Sequence, residues 1–550
     1  MDIPRAQVAS GAQYESLRRV LEMRLVPPSP SAYSIDGRTF SFEAPLSLPL
    51  AVGRYVVLHI QDDQEYLGQV VTQEVSTRDG PQFETEIDSS SAGFPSDSPS
   101  VHFTDRLRIR HIRGQGRLLG RLHGETFSPV TELDTFQDAR VLIAPQETLI
   151  RYFGNAGKGQ VRVEIGAALR TAGRARVCLE ADGFSRRTFL CGQSGSGKTF
   201  ALGVLLEQLL LETNLKLVVF DPNSDFVHLD QIRDRERVNA TRTMALSEAL
   251  YQQISTRYDV VRPLVRIVRP RTIADSQAGV LAVRFSDLAE EEQTGLLGLD
   301  PLDNGAEFES FLRILQAVTS RGPYSLSSLE QAAHGRLRGV RGHRDLAQRI
   351  QNLRISSWEA WCQGKEPSVV DILRDDWRCL VLDLGSLTSA DQKLAVAVAV
   401  LGHLWRDRYR RQPVLVVMDE AQNLCFQAPS SCLEIASTDY VVRIAAEGRK
   451  FGVYLMLASQ RPRKIHSSAL SECDNVIMMR MNSRNDVTYL VDAFSYVPPT
   501  LVALCPTLNL GEGLIAGQIV ESPVIAKFEG RLTEEGGASL PVGTRPQTKT

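Results

Sequence analysis

One short segment, GQSGSGKT from Gly192 to Thr199, limits what this chain can fold into more than any other feature. It fits the pattern G-x-x-x-x-G-K-[ST] in full. It follows an apolar run, Arg187–Cys191, and precedes a stretch, Thr199–Glu212, with apolar residues at helical spacing. A strand that turns through glycines straight into a helix aims loop N–H groups and the positive helix end at one point, which makes an anion site. Gly192, Gln193, Ser194, Gly195, Ser196, Gly197, Lys198 and Thr199 are therefore the candidate phosphate-binding residues. In a nucleotide-binding loop of this kind Lys198 reaches the β- and γ-phosphates of ATP, and the Thr199 hydroxyl ligates Mg²⁺.

The flanking sequence suits such a loop. Leu215–Phe220, Arg378–Leu384, Pro413–Asp419, Gly452–Ser459 and Asn475–Met481 are near-continuous apolar runs. That pattern predicts an α/β domain with a mostly parallel sheet and helices on both faces. Between about 230 and 375 the chain is more polar and reads as a helical insertion. Before about 180 it changes to short alternating runs, among them Gly53–Gln61, Glu65–Val75, Asp105–Arg113 and Gly159–Gly166, which predict a small β-barrel or sandwich. The expected organisation is an extension over 1–30, a barrel over 31–180, the P-loop domain over 181–530 and a tail over 531–550. The tail is low in apolar residues and expected to be disordered. Residues 88–100, DSSSAGFPSDSPS, read as a flexible loop.

The formal net charge is −3, so no global field draws the chain to nucleic acid, and any such contact must come from local basic patches. The 8 cysteines form no C-x-x-C pair and are expected as buried free thiols. The first residues lack the apolar core of a signal peptide, and no window reaches the roughly 18 apolar residues of a membrane span. The expectation is a soluble, cytoplasmic protein without a membrane segment.

Two further segments carry candidate chemistry. In VLVVMDEAQN, Val414–Asn423, an apolar strand leads into Asp419-Glu420. A carboxylate at the end of a buried strand is costly unless it holds a cation. Asp419 is thus a candidate for the Mg²⁺ shell, and Glu420 for the base that orients the attacking water. In EGRKFGVYLMLASQRP, Glu447–Pro462, a basic turn with Arg449-Lys450 precedes an apolar strand tipped by Gln460.

Together GQSGSGKT, DPNSDF (Asp221–Phe226), MDEAQN and EGRKFGVYLMLASQRP resemble the HerA–FtsK superfamily, and specifically its HerA-like members. The resemblance implies a RecA-like ATPase core and agrees with a β-barrel in front of it. It implies that Arg449 acts as an arginine finger on the ATP of a neighbouring subunit. It also implies that Gln460 senses the γ-phosphate. A finger supplied by a neighbour implies a ring, expected as a homohexamer, with double-stranded DNA passing through its pore. The family's motors commonly work with a separate nuclease or other effector, in DNA end processing or anti-phage defence. Conjugation coupling proteins and type IV secretion ATPases share the same core, and a nucleotide-gated scaffold for a partner enzyme is a third reading. Two departures stand out. Arg186-Arg187 replaces the His often found before the P-loop strand, and could reach a nucleotide, a subunit interface or solvent. The chain reads DEAQ, through Gln422, where many relatives read DEAH.

Basic segments that could meet DNA phosphates are His334–Arg349, with Arg336, Arg338, Arg341, Arg344 and Arg349, and Arg461–His466. In a third, Asp105–Arg117, alternation puts Arg106, Arg108 and Arg110 on one strand face, read as an exposed barrel surface or docking face.

Overall fold

The computed structural model describes residues 9–10, 30–60, 64–87, 101–123, 126–129, 135–154, 161–171, 173, 175–274, 278–320, 322–335 and 341–537. The predicted loop at 88–100 and nearly all of the predicted extension lie outside them. The chain forms two compact units, 1–155 with 170–175, and 156–169 with 176–550.

In the first unit six strands close on themselves. Gln64–Ile87 pairs with Tyr55–Ile60, then come Phe136–Ile143, Ser31–Ser34, Thr39–Pro45 and Val101–His123, which pairs back with Gln64–Ile87. Closure leaves no unpaired edge within the ring. Strand alternation sends Phe40, Phe42 and Ala44 inward to a core that includes Leu58, Tyr66 and Val141. Gly68 makes room for the Phe40 ring, since a Cβ there would stand 2.6 Å from it. Of the predicted arginine face, Arg110 is exposed; Arg113, which was not assigned to that face, is also exposed and pairs with Glu43 at 2.7 Å.

The second unit is built on one mixed sheet of 12 strands. Its parallel part runs Cys473–Met479, Arg187–Cys191, Val453–Ser459, Val414–Met418, Lys216–Asp221, Cys379–Asp383, Val265–Arg269 and Gly279–Val280. These strands form because their apolar residues are buried on both faces, as in Cys379–Asp383 and Val414–Met418, where every residue is buried. Beside Cys473–Met479 the sheet continues antiparallel through Glu512–Ala516, Val524–Phe528, Arg162–Ala168 and Arg176–Glu180. Among the described residues no helix is long and apolar enough to cross a membrane. All eight cysteines are free, and Cys191, Cys379, Cys425, Cys473 and Cys505 are buried.

Three boundaries differ from the sequence expectation. Arg162–Ala168 and Arg176–Glu180, assigned to the barrel, pair within the second sheet instead. Alternation identifies a strand but not its partner, and here the partner is Val524–Phe528, far along the chain. The insertion at 230–375 is helical over segments such as Glu248–Val261, Gly305–Thr319 and Arg341–Leu353. It also contributes the strand Val265–Arg269, paired with Cys379–Asp383, and Arg266 and Arg269 gave that strand a polar look. The supposed tail is ordered at its start. Arg531 is fully buried beside Glu207 of the helix Lys198–Glu212, with Nε 3.7 Å from Oε1. Leu532 N and Thr533 N donate to the same carboxylate at 2.7 and 2.9 Å. Residues 538–550 lie outside the described set.

Breaking a buried pair leaves a lone charge in the core, at a cost of about 3–5 kcal/mol. Glu207→Ala should therefore lower the stability of the second unit by that order, read as a lower midpoint for its transition in scanning calorimetry. A midpoint like that of the unsubstituted protein would mean that residues 531–533 are not fastened through Glu207.

Candidate functional site

Parallel strands all end on one side of their sheet, and loops there share a crevice. Cys191, Asp221, Asp383, Met418 and Ser459 are such ends, aligned by Cys191↔Ser459, Asp221↔Asp383 and Phe220↔Met418. The segments predicted from sequence to carry chemistry, apart from the Arg449 turn, therefore meet at one edge.

The P-loop is set by its glycines and by a few tethers. Gly195 and Gly197 have φ of 72° and 92°, a backbone region that favours glycine, and Gly197 caps the helix Lys198–Glu212. A Cβ on Gly192 would lie 2.5 Å from Ser196 Oγ. Gln193 turns away to hold its neighbour: its Oε1 accepts from Asn482 N at 3.0 Å. Arg480 Nη2 donates to Gly195 O at 2.8 Å. Ser194 and Gly195 are exposed, while Ser196 is buried with its Oγ unpartnered. That free hydroxyl, beside the helix N-terminus, suits an anion.

Beneath the loop stands a buried charge cluster. Lys198 Nζ binds Asp419 Oδ1 and lies 3.0 Å from Glu420 Oε1. Burial works against the lysine's charge, but the two carboxylates outweigh it and raise its pKa. Burial raises the pKa of Asp419, with Lys198 opposing and Glu420 assisting. For Glu420 burial also pushes upward, yet Lys198 and hydrogen bonds from Gln422 and Gln460 bring the net below the ordinary value. Gln460 Nε2 donates to Glu420 Oε1 at 2.7 Å, and Gln422 Nε2 donates to Oε2 at 2.7 Å. Glu420 itself has φ 44°, a strained left-handed backbone for a non-glycine residue. The site thus brings together Lys198, Asp419, Glu420 and Gln460. It adds Gln422 and Arg480. Gln422 was visible only as a departure from DEAH, and Arg480 had no sequence signal.

The donor set fits a divalent cation. Asp419 Oδ2 is buried without a partner. Asp225 Oδ2 is 3.4 Å from Thr199 Oγ1, which places a carboxylate beside the candidate hydroxyl ligand. Asp221 acts behind them. Its carboxylate accepts from Asp225 N and Phe226 N at 3.0 and 2.8 Å, shaping the DPNSDF turn. Burial pushes its pKa up to about 7, with the charges of Asp225 and Asp419 adding to the effect.

Arg449 lies elsewhere. It is exposed in the turn Gly448–Phe451, before the strand Val453–Ser459, and its guanidinium makes no ion pair among the described residues. Those 7 strand residues separate it from Gln460, roughly 20 Å at about 3.3 Å per residue. Arg187 also lies at that far end. It donates to Ala445 O and, at 2.9 Å, to Ala446 O, so it caps the helix Cys432–Glu447 that leads into the Arg449 turn. Arg187 is therefore not at this chain's P-loop, and Arg186 pairs with Asp474 at 3.8 Å. Of the basic segments, Arg461, Arg463, Lys464 and Arg344 are exposed, Arg349 is engaged by Glu307, and Arg336 and Arg338 lie outside the described residues.

Comparison with known proteins follows the same line. Residues 163–401 match the family model described as "Helicase HerA, central domain", which includes the P-loop and stops before Asp419. A DNA double-strand break repair helicase HerA from Sulfurisphaera tokodaii is 37% identical over 123 residues, 22% of this chain and 24% of that protein. The chain thus spans about a quarter of that relative in the match. The protein of the same name from Sulfolobus acidocaldarius is 22% identical over 444 residues, 77% of this chain and 79% of that protein. Among solved structures, VirB4 of Thermoanaerobacter pseudethanolicus aligns at 16% identity with a TM-score of 0.45, over 68% of this chain and 97% of that one. The chain is similar to HerA helicases: to their central domain over 163–401, and at low identity over most of its length.

Proposed function

We propose that the protein hydrolyses ATP with Mg²⁺ in a ring of its own copies, expected as a hexamer with a RecA-like core in each subunit, and translocates double-stranded DNA through the pore. One observation carries this reading: Lys198, Asp419, Glu420 and Gln460 converge under the P-loop, while the free Arg449 sits at the other end of the sheet. An arginine so placed completes a site only on a second copy of the chain.

In this reading the loop from Gly192 to Thr199 wraps the phosphates. Phosphate oxygens draw Lys198 away from Asp419 and Glu420. Mg²⁺ bound by Thr199 and, through water, Asp419 would neutralise charge on the phosphate oxygens. Glu420 takes the proton of the attacking water, whose oxygen bonds to the γ-phosphorus as the bond to ADP breaks. Arg449 of the neighbouring copy stabilises the charge that develops there. Gln460, hydrogen-bonded to Glu420, registers loss of the phosphate. The exposed Arg461, Arg463 and Lys464 follow directly after Gln460, which makes them the best-placed contacts to DNA phosphates. The names of the HerA relatives favour a role in DNA double-strand break repair; a cytoplasmic location and a separate nuclease or other effector chain belong to the same proposal.

The test is steady-state ATP hydrolysis with and without linear duplex DNA, using Glu420→Gln as the blank. Duplex DNA should stimulate turnover. Hydrolysis indifferent to DNA would favour a secretion-type motor, and assembly with ATP but no turnover would favour a scaffold. Lys198→Ala should abolish turnover. Glu420→Gln should still bind ATP but hydrolyse about 10²–10⁴-fold more slowly. Arg449→Ala should keep ATP binding and lose about 10³–10⁵-fold in rate. Co-expressing Arg449→Ala with Lys198→Ala should restore part of the activity, because some interfaces then join an intact P-loop to an intact finger. If mixed assemblies stay as inactive as either parent, Arg449 does not act between subunits.

A further inference from the structure

Gln422, the departure from DEAH, stands at the middle of a directed hydrogen-bond chain. Ser459 Oγ accepts from Arg461 N at 2.9 Å and lies 2.6 Å from Gln422 Oε1. Gln422 Nε2 lies 2.7 Å from Glu420 Oε2. The polarity of the chain follows from what each group can do. An ionised carboxylate can only accept, so Glu420 takes the NH₂ of Gln422. The amide oxygen therefore faces Ser459, whose hydroxyl donates to it. Every donor points toward Glu420, and hydrogen bonds arranged this way reinforce one another.

The carboxylate needs such holders. Its backbone is strained at φ 44°, and three donors share its two oxygens: Lys198 and Gln460 on Oε1, Gln422 on Oε2. Lys198 is the contact that phosphate oxygens would take over. Once it leaves, one amide remains on each oxygen. Two such bonds fix the plane of the carboxylate, whereas Gln460 alone leaves it free to turn about a single contact. Gln422 is in turn braced by Ser459, at the tip of the strand next to the P-loop strand, where Gly192 N donates to Ser459 O at 3.3 Å.

We propose that Gln422 is a positioning residue for hydrolysis: braced by Ser459, its amide holds the Glu420 carboxylate in the orientation from which it takes the proton of the attacking water. This rests on Glu420 being the base, as set out above, and adds to it the group that aims the base. The chemistry needed is one acceptor for Ser459 and one donor for Glu420 on the same side chain. A neutral imidazole also offers one of each, so histidine at 422 can replace the amide. Leucine, of similar size, supplies neither.

The experiment measures kcat and KM for ATP on the full chain with linear duplex DNA, for the wild type, Gln422→Leu and Gln422→His. Gln422→Leu should lower kcat roughly ten- to a hundredfold, the range for losing one hydrogen bond to a charged group, with KM close to that of the wild type. Gln422→His should recover most of kcat. In the Glu420→Gln background, Gln422→Leu should cause little further loss, since a residue that acts through Glu420 has nothing left to position. Active wild type with an unchanged kcat in Gln422→Leu, or a change confined to KM, overturns the inference alone. So does a folded Gln422→His as slow as Gln422→Leu, which would assign a packing role. No turnover by the wild type in any condition overturns the functional reading, and this inference with it.

Discussion

The second unit is organised around one buried cation set against more than one acid. Lys198 is shared by Asp419 and Glu420, with Asp221 and Asp225 close behind. A buried charge is tolerated only when it is paired and hydrogen-bonded. One ammonium balances one carboxylate, so this edge of the sheet holds surplus negative charge. Amide donors from Gln422 and Gln460 absorb part of that surplus at Glu420, and backbone N–H groups absorb part at Asp221. Asp419 Oδ2 has no such relief. An acidic pocket below a loop that suits anions favours a cation and an anion that arrive together.

The same sheet holds two features apart. Its strand ends on one side carry the cluster, and its other side carries the Arg449 turn. Arg187 joins them mechanically, because the first residue of the P-loop strand caps the helix that feeds that turn. The arginine pair before the P-loop, open in meaning from sequence, thus finds a structural role at Arg187.

What could be read in advance was whatever is written locally. The P-loop, the Asp419-Glu420 pair and the strand tipped by Gln460 are contiguous segments whose residues act within a few positions of one another. A small barrel or sandwich was legible from alternation, because each strand's inward face is its own pattern; closure into a ring was not. What escaped depends on distant partners. The strands at 162–168 and 176–180 look like barrel strands until Val524–Phe528 is set beside them. Residues 531–537 look like a polar tail because their apolar content says nothing of Glu207 waiting in the core. Gln422 read only as a departure from DEAH because its two partners, Glu420 and Ser459, come together only when the strands align.

The pairing of Val524–Phe528 with Arg162–Ala168, and the fastening of Leu532 to Glu207 across 325 residues, set an order of events as the chain emerges from the ribosome. The earliest strands of this sheet acquire their neighbour, and the P-loop helix its buried counter-charge, only after nearly everything between has been made. Contacts this remote in sequence are slow to form. Until they do, an apolar sheet edge and an unpaired glutamate are exposed to the cell, the kind of surface that chaperones recognise. The barrel, complete some 350 residues earlier, is under no such delay.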